Sequence, residues 1–395
     1  MPLVILVIGI LTDTVIRRVC AGLIAAGADF RFLDQRLFGT SIRMTVGATG
    51  GHAMGRLIVG TEPVELNNIG AVFCRLIGFE LTSAQSPDRS RNEGFLRQIE
   101  TTLNMLPCLV VNRPSAQYSN ASKPFQYQRI RAAGLAIPDT VVTDRADAAK
   151  RFVATYGGQA IFKSVSSVRS KVHRFPNDIG AYRAVTHNPV QLQAMVRGYD
   201  VRVHVVGQEC FAHAIHSDAS DYRYPGASNG APSLLPIELD PIVAQKCVAL
   251  ARALRLHLAG IDLRPTDTSN WVCFEVNPQP YFPYFEGTDT FPVTGAIIQD
   301  LISASKEVDG RAPADAPAAQ APASGGTDIA ICRSDVRIPR GAVKPLIGAN
   351  LRPALNDLAR WSGATHLLAR PAELTRPLLQ DVKAFTIWIR SFAGQ

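Results

Sequence analysis

Three short stretches of the sequence decide the prediction of the fold: Gly198-Tyr-Asp-Val-Arg202, Ala259-Gly-Ile-Asp-Leu263 and Phe274-Glu-Val-Asn-Pro278. Each combines the apolar residues of a buried strand with one or two polar side chains. Glu275 and Asn277 are two positions apart, so on a strand both side chains leave the same face. Asp262 lies in the preceding apolar segment, which turn-forming residues at 265–270 connect to the third stretch. If these two strands pair as a hairpin, three oxygen-bearing side chains converge.

Asp262, Glu275 and Asn277 form a set of hard oxygen donors. Such donors suit Mg²⁺ or Mn²⁺ bound together with the phosphates of a nucleotide, whereas zinc would require sulfur or imidazole ligands. Taken singly, Asp262 is equally explained as a residue at the end of a hairpin, and Glu275 as an exposed residue paired with an arginine. Taken together, two carboxylates interrupt runs that otherwise indicate buried strands. Burying a carboxylate without a partner is costly, and a metal ion would supply that partner.

The size and composition of the chain bound its class. At 395 residues it exceeds the size at which one core suffices, so two or more domains are expected. Its content of 47% hydrophobic and 19% charged residues is typical of a soluble globular protein. No apolar run approaches the roughly 20 residues that cross a bilayer, so no membrane association is expected. The apolar start at residues 3–11 lacks a basic leader and a cleavage site, which predicts a buried strand and a cytoplasmic location.

Cysteine usage and charge exclude further classes. The 7 cysteines are scattered without CxxC or Cys/His metal spacing, so we predict reduced core thiols. The net charge is +8, and residues 327–395 contribute ten Lys/Arg against five Asp/Glu. This excess favours an anionic partner. Nucleic-acid binding through the basic tail stays an alternative, but it is disfavoured because basic residues are not clustered among aromatic ones.

Patterns along the chain predict an α/β (α+β) protein. Alternating strand and helix signals at the N-terminus favour a mostly parallel sheet, and a later succession of short strands favours antiparallel pairing. We read the residues between the second strand and Gly60 as turn-rich, with a hairpin turn at the glycine-rich 47–51. The predicted organisation is an N-terminal α/β domain, a central domain, a third domain with the metal site, an Ala/Pro linker and an unassigned C-terminal extension, at residues 1–112, 113–190, 191–305, 306–326 and 327–395.

Further motifs surround the three stretches. Two contain lysines, in Ser122-Lys-Pro124 and Ile161-Phe-Lys-Ser164, and two others are Gln193-Ala-Met-Val196 and Ile215-His-Ser217, the latter followed by Asp221-Tyr-Arg223. In this order the features resemble the ATP-grasp carboxylate-amine ligases. They are most similar to the RimK-type enzymes and to the graspetide (microviridin-type) ligases that modify ribosomally made peptides. The resemblance covers roughly residues 112–303 well, includes the N-terminal segment loosely as a pre-ATP-grasp domain, and leaves out the C-terminal tail.

The resemblance implies an ATP-grasp fold with ATP and Mg²⁺ (or Mn²⁺) as cofactors. Lys123 and Lys163 would then lie beside the nucleotide phosphates, where an ammonium group offsets their charge. The backbone of Gln193, Ala194 and Val196 would read adenine, although Ala194 replaces an acidic residue usual in the family.

Three further residues receive roles from the resemblance. Asp200 would lie near the hinge and the ribose, or in structural contact with the neighbouring loop. Arg202 would contact the transferred phosphoryl group, because a guanidinium matches phosphate oxygens. Arg223 would hold the acyl phosphate or the substrate carboxylate. The alternative for Arg202 is a surface arginine on an amphipathic strand.

The sequence also departs from the family pattern. Pro225 stands where RimK-type enzymes carry an asparagine, which favours the peptide-modifying branch. The loop at 164–170 has no glycine, whereas a glycine-rich loop usually covers the phosphates. Residues 278–285, Pro-Gln-Pro-Tyr-Phe-Pro-Tyr-Phe, are read either as the lining of an acceptor pocket or as a packed loop.

The expected activity is an ADP-forming ligase that activates a carboxylate as an acyl phosphate and joins it to an amine or a hydroxyl. The expected partners are ATP and a carboxylate-bearing substrate, with a precursor peptide favoured, and a homodimer stays open. One alternative is a RimK-type ligase of small molecules or glutamate. Another is a nucleotide-binding regulatory module without turnover, which the glycine-free loop favours.

Overall fold

The computed structural model describes residues 3–39, 41–49, 52–77, 89–164, 172–217, 232–266, 270–287 and 290–306. The chain divides into two compact units. The first, Met1–Ile58 with Pro63–Val308, holds every site residue discussed below. The second comprises Val59–Glu62 and Asp309–Gln395, of which only Val59–Glu62 is described. The predicted linker from residue 307 onward and the C-terminal extension therefore lie outside the described residues.

A four-stranded parallel sheet opens the fold, in the strand order β2-β1-β6-β7. Strand β1 is buried along nearly its whole length, as expected for a parallel sheet covered on both faces. The Asp13 side chain accepts a hydrogen bond from the Val15 N–H and so caps the first helix. The predicted N-terminal α/β arrangement is confirmed. Its elements are β1 (Val4–Gly9), α1 (Thr14–Ala25), β2 (Phe30–Asp34), β6 (Ile69–Cys74), α2 (Arg89–Met105) and β7 (Leu109–Val111).

The prediction of turn-rich sequence up to Gly60 was wrong. The segment forms strands β3 (Ile42–Thr49) and β4 (His52–Val59), which with β5 (Glu62–Glu65) make a three-stranded sheet in the order β3-β4-β5. Apolar residues alternate with exposed polar ones along β3, which is the two-residue period of a half-buried strand. The glycines at 47–51 concealed that period; residues 47–49 belong to β3, and the rest of the predicted turn, at 50–51, lies outside the described residues.

A second four-stranded sheet, in the order β10-β9-β11-β8, forms the middle of the fold, and its pairs are antiparallel. Its core includes Val153 of a covering helix and Leu192 of β11. Strand β11 ends at Ala194, four residues beyond the proposed domain boundary, so we propose a boundary after Ala194. The elements here are α3 (Pro114–Gln117), α4 (Lys123–Ala132), β8 (Thr140–Thr143), α5 (Ala146–Thr155), β9 (Ala160–Ser164), β10 (His173–Arg174), α6 (Ile179–Val185) and β11 (Val190–Ala194).

A five-stranded antiparallel sheet has the strand order β14-β13-β12-β15-β16. It contains residues from the three stretches around Arg202, Asp262 and Glu275. Val201, Val203 and Val205 alternate into the core shared with α7, which leaves the opposite face of β12 for polar side chains. The elements are β12 (Asp200–Val206), β13 (Glu209–His216), β14 (Ser233–Ile237), α7 (Pro241–Ala253), β15 (Leu258–Pro265), β16 (Trp271–Asn277) and α8 (Pro292–Lys306).

The six cysteines among the described residues are free thiols. Burial raises the pKa of each of them, so none is a thiolate nucleophile near neutral pH. In the part of the chain that the structure describes, no helix is both long and apolar enough to cross a membrane.

Candidate active site

A row of four polar side chains crosses the five-stranded sheet. His213 on β13 is the register partner of Arg202 on β12, Arg202 is the partner of Asp262 on β15, and Asp262 is the partner of Glu275 on β16. Because directly opposed residues on antiparallel strands point to the same face, the row lies on one side of the sheet. The predicted convergence of Asp262 and Glu275 follows from this pairing.

A register shift beside Asp262 shapes the acidic end of the row. Asp262 is paired with Glu275, but the next residue, Leu263, is paired with Cys273, so Phe274 is the extra residue of a bulge. Asn277, two residues beyond Glu275, lies opposite Gly260. The predicted hairpin is therefore present, with Asp262, Glu275 and Asn277 on the same face.

Lys123 reaches this face from the first turn of α4. Its Nζ lies 2.7 Å from Oε2 of Glu275 and 2.6 Å from Oδ1 of Asn120. The buried amide of Gln126, one turn further along α4, donates to the Val276 carbonyl (2.7 Å) and accepts from the Val276 N–H (2.9 Å). Since both polar backbone groups of Val276 are satisfied by Gln126, α4 is fixed against β16 in the position that lets Lys123 reach Glu275.

Three cations determine the charge of Glu275. Burial alone raises the pKa of this carboxyl, but Lys123, Lys163 and Arg202 together outweigh burial and lower its pKa to about 2. Lys163 lies on β9 of the middle sheet, where its register partner is Gln191 of β11. Its charge therefore acts on Glu275 from a different sheet. Glu275 is ionised near neutral pH, and the charges of both predicted lysines act on this carboxylate.

Arg202 forms the second ion pair of the row. Its NH1 lies 3.2 Å from Oδ1 of Asp262, and the residue is only 8% exposed. A buried arginine requires a compensating charge, and Asp262 supplies it. The two acids are thus each paired with a cation on the same face.

The donor set fits a small hard cation that shares its coordination with another ligand. Among the described residues there is no group of three or more His, Cys, Asp or Glu side chains able to hold a metal. Asp262 and Glu275 offer two carboxylates, and Asn277 offers an amide oxygen that also accepts from the Gln279 N–H at 2.9 Å. Mg²⁺ is commonly held by one or two carboxylates plus phosphate oxygens and water, so this face suits Mg²⁺ bound with a nucleotide.

The predicted adenine-reading segment begins in the last two residues of β11 and continues to Val196. The Gln193 side chain is buried and donates to Tyr127 Oη and Thr140 Oγ1 at 2.9 and 3.1 Å. The Ala194 N–H donates to the Asp139 carbonyl at 2.9 Å. The Gln193 side chain and the Ala194 N–H therefore hold the end of β11 against the residues around it.

Asp200 and Val196 are connected by an arginine that sequence reasoning missed. Arg264 donates through NH2 to Oδ1 of Asp200 at 2.6 Å and through NH1 to the Val196 carbonyl at 2.6 Å. Asp200 thus forms an ion pair with Arg264 of β15, and its predicted roles at the hinge or the loop stay predictions. The available signal was a charged residue two positions after Asp262 on the same strand, which period-two alternation places on the same face.

Residues 278–285 contact Asn112 after β7 at one end and the five-stranded sheet at the other, where the Phe285 ring lies beside His204 and His213. Phe282 and Phe285 are buried, whereas Tyr281 and Tyr284 are each 45% exposed. The Asn112 amide at the end of β7 donates to the carbonyls of Leu258 (2.6 Å) and Pro278 (2.7 Å). This segment is a packed loop with two exposed tyrosines, and sequence reasoning did not find Asn112.

Two predicted features fall outside the described residues. Arg223 lies in the range 218–231, and most of the glycine-free loop lies in 165–171. Their roles stay predictions.

Searches of protein-family models and of curated proteins find no match to the chain. Solved structures do match. The macrocyclase MdnC from Microcystis aeruginosa, bound with its precursor peptide, is 21% identical, with a TM-score of 0.63 over 76% of this chain and 99% of that one. The ATP-grasp ligase PsnB, complexed with a precursor peptide and AMPPNP, is 24% identical, with a TM-score of 0.62 over 76% and 98%. A RiPP-associated ATP-grasp ligase from Chryseobacterium gregarium, in complex with ADP and a leader and core peptide, is 18% identical, with a TM-score of 0.62 over 76% and 97%.

The matches cover three quarters of this chain and nearly all of each matched chain. Together with the order of the sheets along the chain they define the class: the chain has the ATP-grasp fold. The predicted fold is confirmed.

Proposed function

We propose that the protein is an ATP-dependent ligase that activates a carboxylate as an acyl phosphate and joins it to an amine or a hydroxyl. The observation that carries the proposal is the pairing of Asp262 and Glu275 on one sheet face with Lys123, Lys163 and Arg202 around them. Two acids and three cations on a rigid sheet are suited to hold a metal and a polyphosphate at the same time.

In this proposal each side chain has a separate task. Asp262, Glu275 and Asn277 hold Mg²⁺, which when bound offsets phosphate charge and orients the γ-phosphate. Lys123 and Lys163 neutralise phosphate oxygens. The backbone at 193–196 is proposed to read adenine, as the resemblance noted from the sequence implies.

Arg202 is proposed to act on the phosphoryl group during its transfer to the substrate. A substrate carboxylate oxygen attacks the γ-phosphorus, the bond to the β-phosphate oxygen breaks, and ADP leaves. An amine or hydroxyl then attacks the acyl carbon, phosphate leaves, and the nucleophile loses its proton. The Arg202 guanidinium would stabilise the charge that develops on the transferred group. Arg223 is proposed to hold the substrate carboxylate.

We propose a peptide as the carboxylate-bearing substrate. Support comes from the similar structures, of which MdnC and PsnB are described in complex with precursor peptides. A free amino acid or small acid is the competing substrate class, as in RimK-type ligases.

Trapping of the activated carboxylate tests the proposed function. The protein is incubated with ATP, Mg²⁺ and hydroxylamine, and with either a short acid-rich peptide encoded beside its gene or free glutamate. We expect a hydroxamate on a peptide carboxylate, detected as a mass change, with one ADP formed for each hydroxamate. A hydroxamate on free glutamate alone would move the substrate to the small-molecule class. No ADP in either reaction would contradict the ligase assignment.

A further inference from the structure

The guanidinium of Arg202 is enclosed by residues from the strand beside it and from the loop after β16. We infer that Gly260, Pro280 and Phe285 form a preformed guanidinium slot, and that Gly260 and Phe285 are positioning residues for phosphoryl transfer by Arg202. The inference rests on the proposed function for the role of Arg202, but the slot itself is a feature of the described residues.

Gly260 forms one wall of the slot because it has no side chain. A Cβ at this position would lie 2.9 Å from NH1 of Arg202 and 2.7 Å from Cβ of Pro280, and Cβ atoms in proteins do not approach other heavy atoms so closely. Its φ lies outside the left-handed region, so the backbone itself would accept alanine. Any side chain at position 260 would clash with the guanidinium or the proline, so this position requires glycine.

Phe285 forms a second wall of the slot. Its ring centroid lies 5.7 Å from Cζ of Arg202, 5.0 Å from the His204 ring and 5.7 Å from the His213 ring. The face of an aromatic ring attracts a guanidinium, and more strongly where water is excluded. Phe285 is 8% exposed and Arg202 likewise, so the contact is largely dry.

His204 contributes no competing charge to this slot. It is fully buried, and neither ring nitrogen has a hydrogen-bond partner among the described residues. Burial, together with the charges of Arg202 and His213, lowers the pKa of His204 well below its usual value. The imidazole is therefore neutral and packs beside Phe285 without repelling Arg202.

The wall formed by Phe285 is itself fixed by its neighbour Glu286. The buried Glu286 carboxylate accepts hydrogen bonds from the Thr294 N–H and Oγ1 at 2.7 Å each, and it pairs with NH1 of Arg18 at 3.3 Å. Arg18 belongs to helix α1, and Thr294 lies in the first turn of α8. Two elements outside the five-stranded sheet thus hold the slot in place.

The slot has a task that the ion pair with Asp262 cannot perform alone. When Asp262 contributes its oxygens to a metal, its attraction for Arg202 weakens. Gly260 and Phe285 do not take part in metal binding, so they keep the guanidinium in position at that moment. Rigid placement before reaction is what makes such a charge effective in catalysis.

Substitution of the two walls tests the inference, with ATP turnover in the presence of the acid-rich peptide as the readout. Phe285→Leu keeps apolar volume and removes the ring, so kcat should fall about twofold to thirtyfold, the factor that corresponds to a cation–π contact. Gly260→Ala should lower kcat at least about tenfold. The matched controls are Phe282→Leu, a buried ring in the same turn, and Gly295→Ala, where a Cβ meets nothing within 4 Å. Each should retain the wild-type kcat per folded molecule.

Two further readouts separate positioning from a loss of structure. In an Arg202→Met background, which has no cation at this position, Phe285→Leu should lower kcat by less than twofold, because its partner is already gone. A crystal structure of Gly260→Ala should show the guanidinium displaced from its place beside Asp262. Equal effects of Phe285→Leu in both backgrounds, or an unmoved guanidinium, would overturn the inference. The crystal structure decides the slot even if the wild-type protein forms no ADP, an outcome that would count against the proposed function alone.

Discussion

Asp262→Asn and Glu275→Gln are each expected to reduce ATP turnover at least about a hundredfold. Each change removes one of the two carboxylates of the face while keeping the size of the side chain. A neutral amide binds Mg²⁺ far more weakly than a carboxylate, and even groups that only orient metal ligands are worth about 10- to 100-fold. The measurement is ADP release at saturating ATP and Mg²⁺.

The control for this experiment is Glu238→Gln, an acid of the same type on the exposed surface. It should leave turnover unchanged. Thermal unfolding must accompany the kinetics, because Glu275→Gln leaves Lys123 without its acidic partner and is expected to lower Tm. Asp262→Asn or Glu275→Gln protein that is folded and releases ADP at the wild-type rate would remove these residues from the metal site.

Arg202→Lys is expected to lower kcat about a hundredfold to a thousandfold. Lysine keeps the positive charge but not the planar fork of donors, and its ammonium cannot fill the space between Asp262 and Phe285 in the same way. Loss of one preorganised donor to a developing negative charge costs about that factor in other enzymes. Turnover and AMPPNP affinity are measured in parallel, and affinity should change far less than kcat.

The matched control is Arg145→Lys, which alters an exposed arginine paired with Asp147. Since surface ion pairs contribute little, this variant should retain wild-type kcat. If Arg202→Lys turns over ATP within about threefold of the wild-type rate, the guanidinium has no special role in phosphoryl transfer.

Much of the site could be predicted because it depends on local patterns of apolar and polar residues in the sequence. Glu275 and Asn277 are two residues apart on a strand, and Asp262 interrupts an apolar run, so alternation alone placed them on one face. Lys123 was recognisable at the start of a helix, where Ser122 caps it.

What could not be predicted depends on contacts between distant parts of the chain. Asn112 binds backbone groups at Leu258 and Pro278, and no local pattern links positions so far apart. Phe285 was visible only as one ring of an aromatic loop, because its contact with Arg202 exists only once β12 and that loop pack together. The missed strand β14 carries a proline and exposed residues, which weaken the usual signals of a strand.

Metal-dependent nucleotide binding tests the central claim most directly, because it requires neither the carboxylate substrate nor the acceptor. AMPPNP binding is measured by titration calorimetry with Mg²⁺ and with EDTA, on the wild-type protein and on Asp262→Asn. We expect binding that weakens more than tenfold in EDTA for the wild-type protein and a much smaller Mg²⁺ dependence for Asp262→Asn. Binding that is indifferent to Mg²⁺, or an Asp262→Asn protein with the full wild-type Mg²⁺ dependence, would contradict that claim.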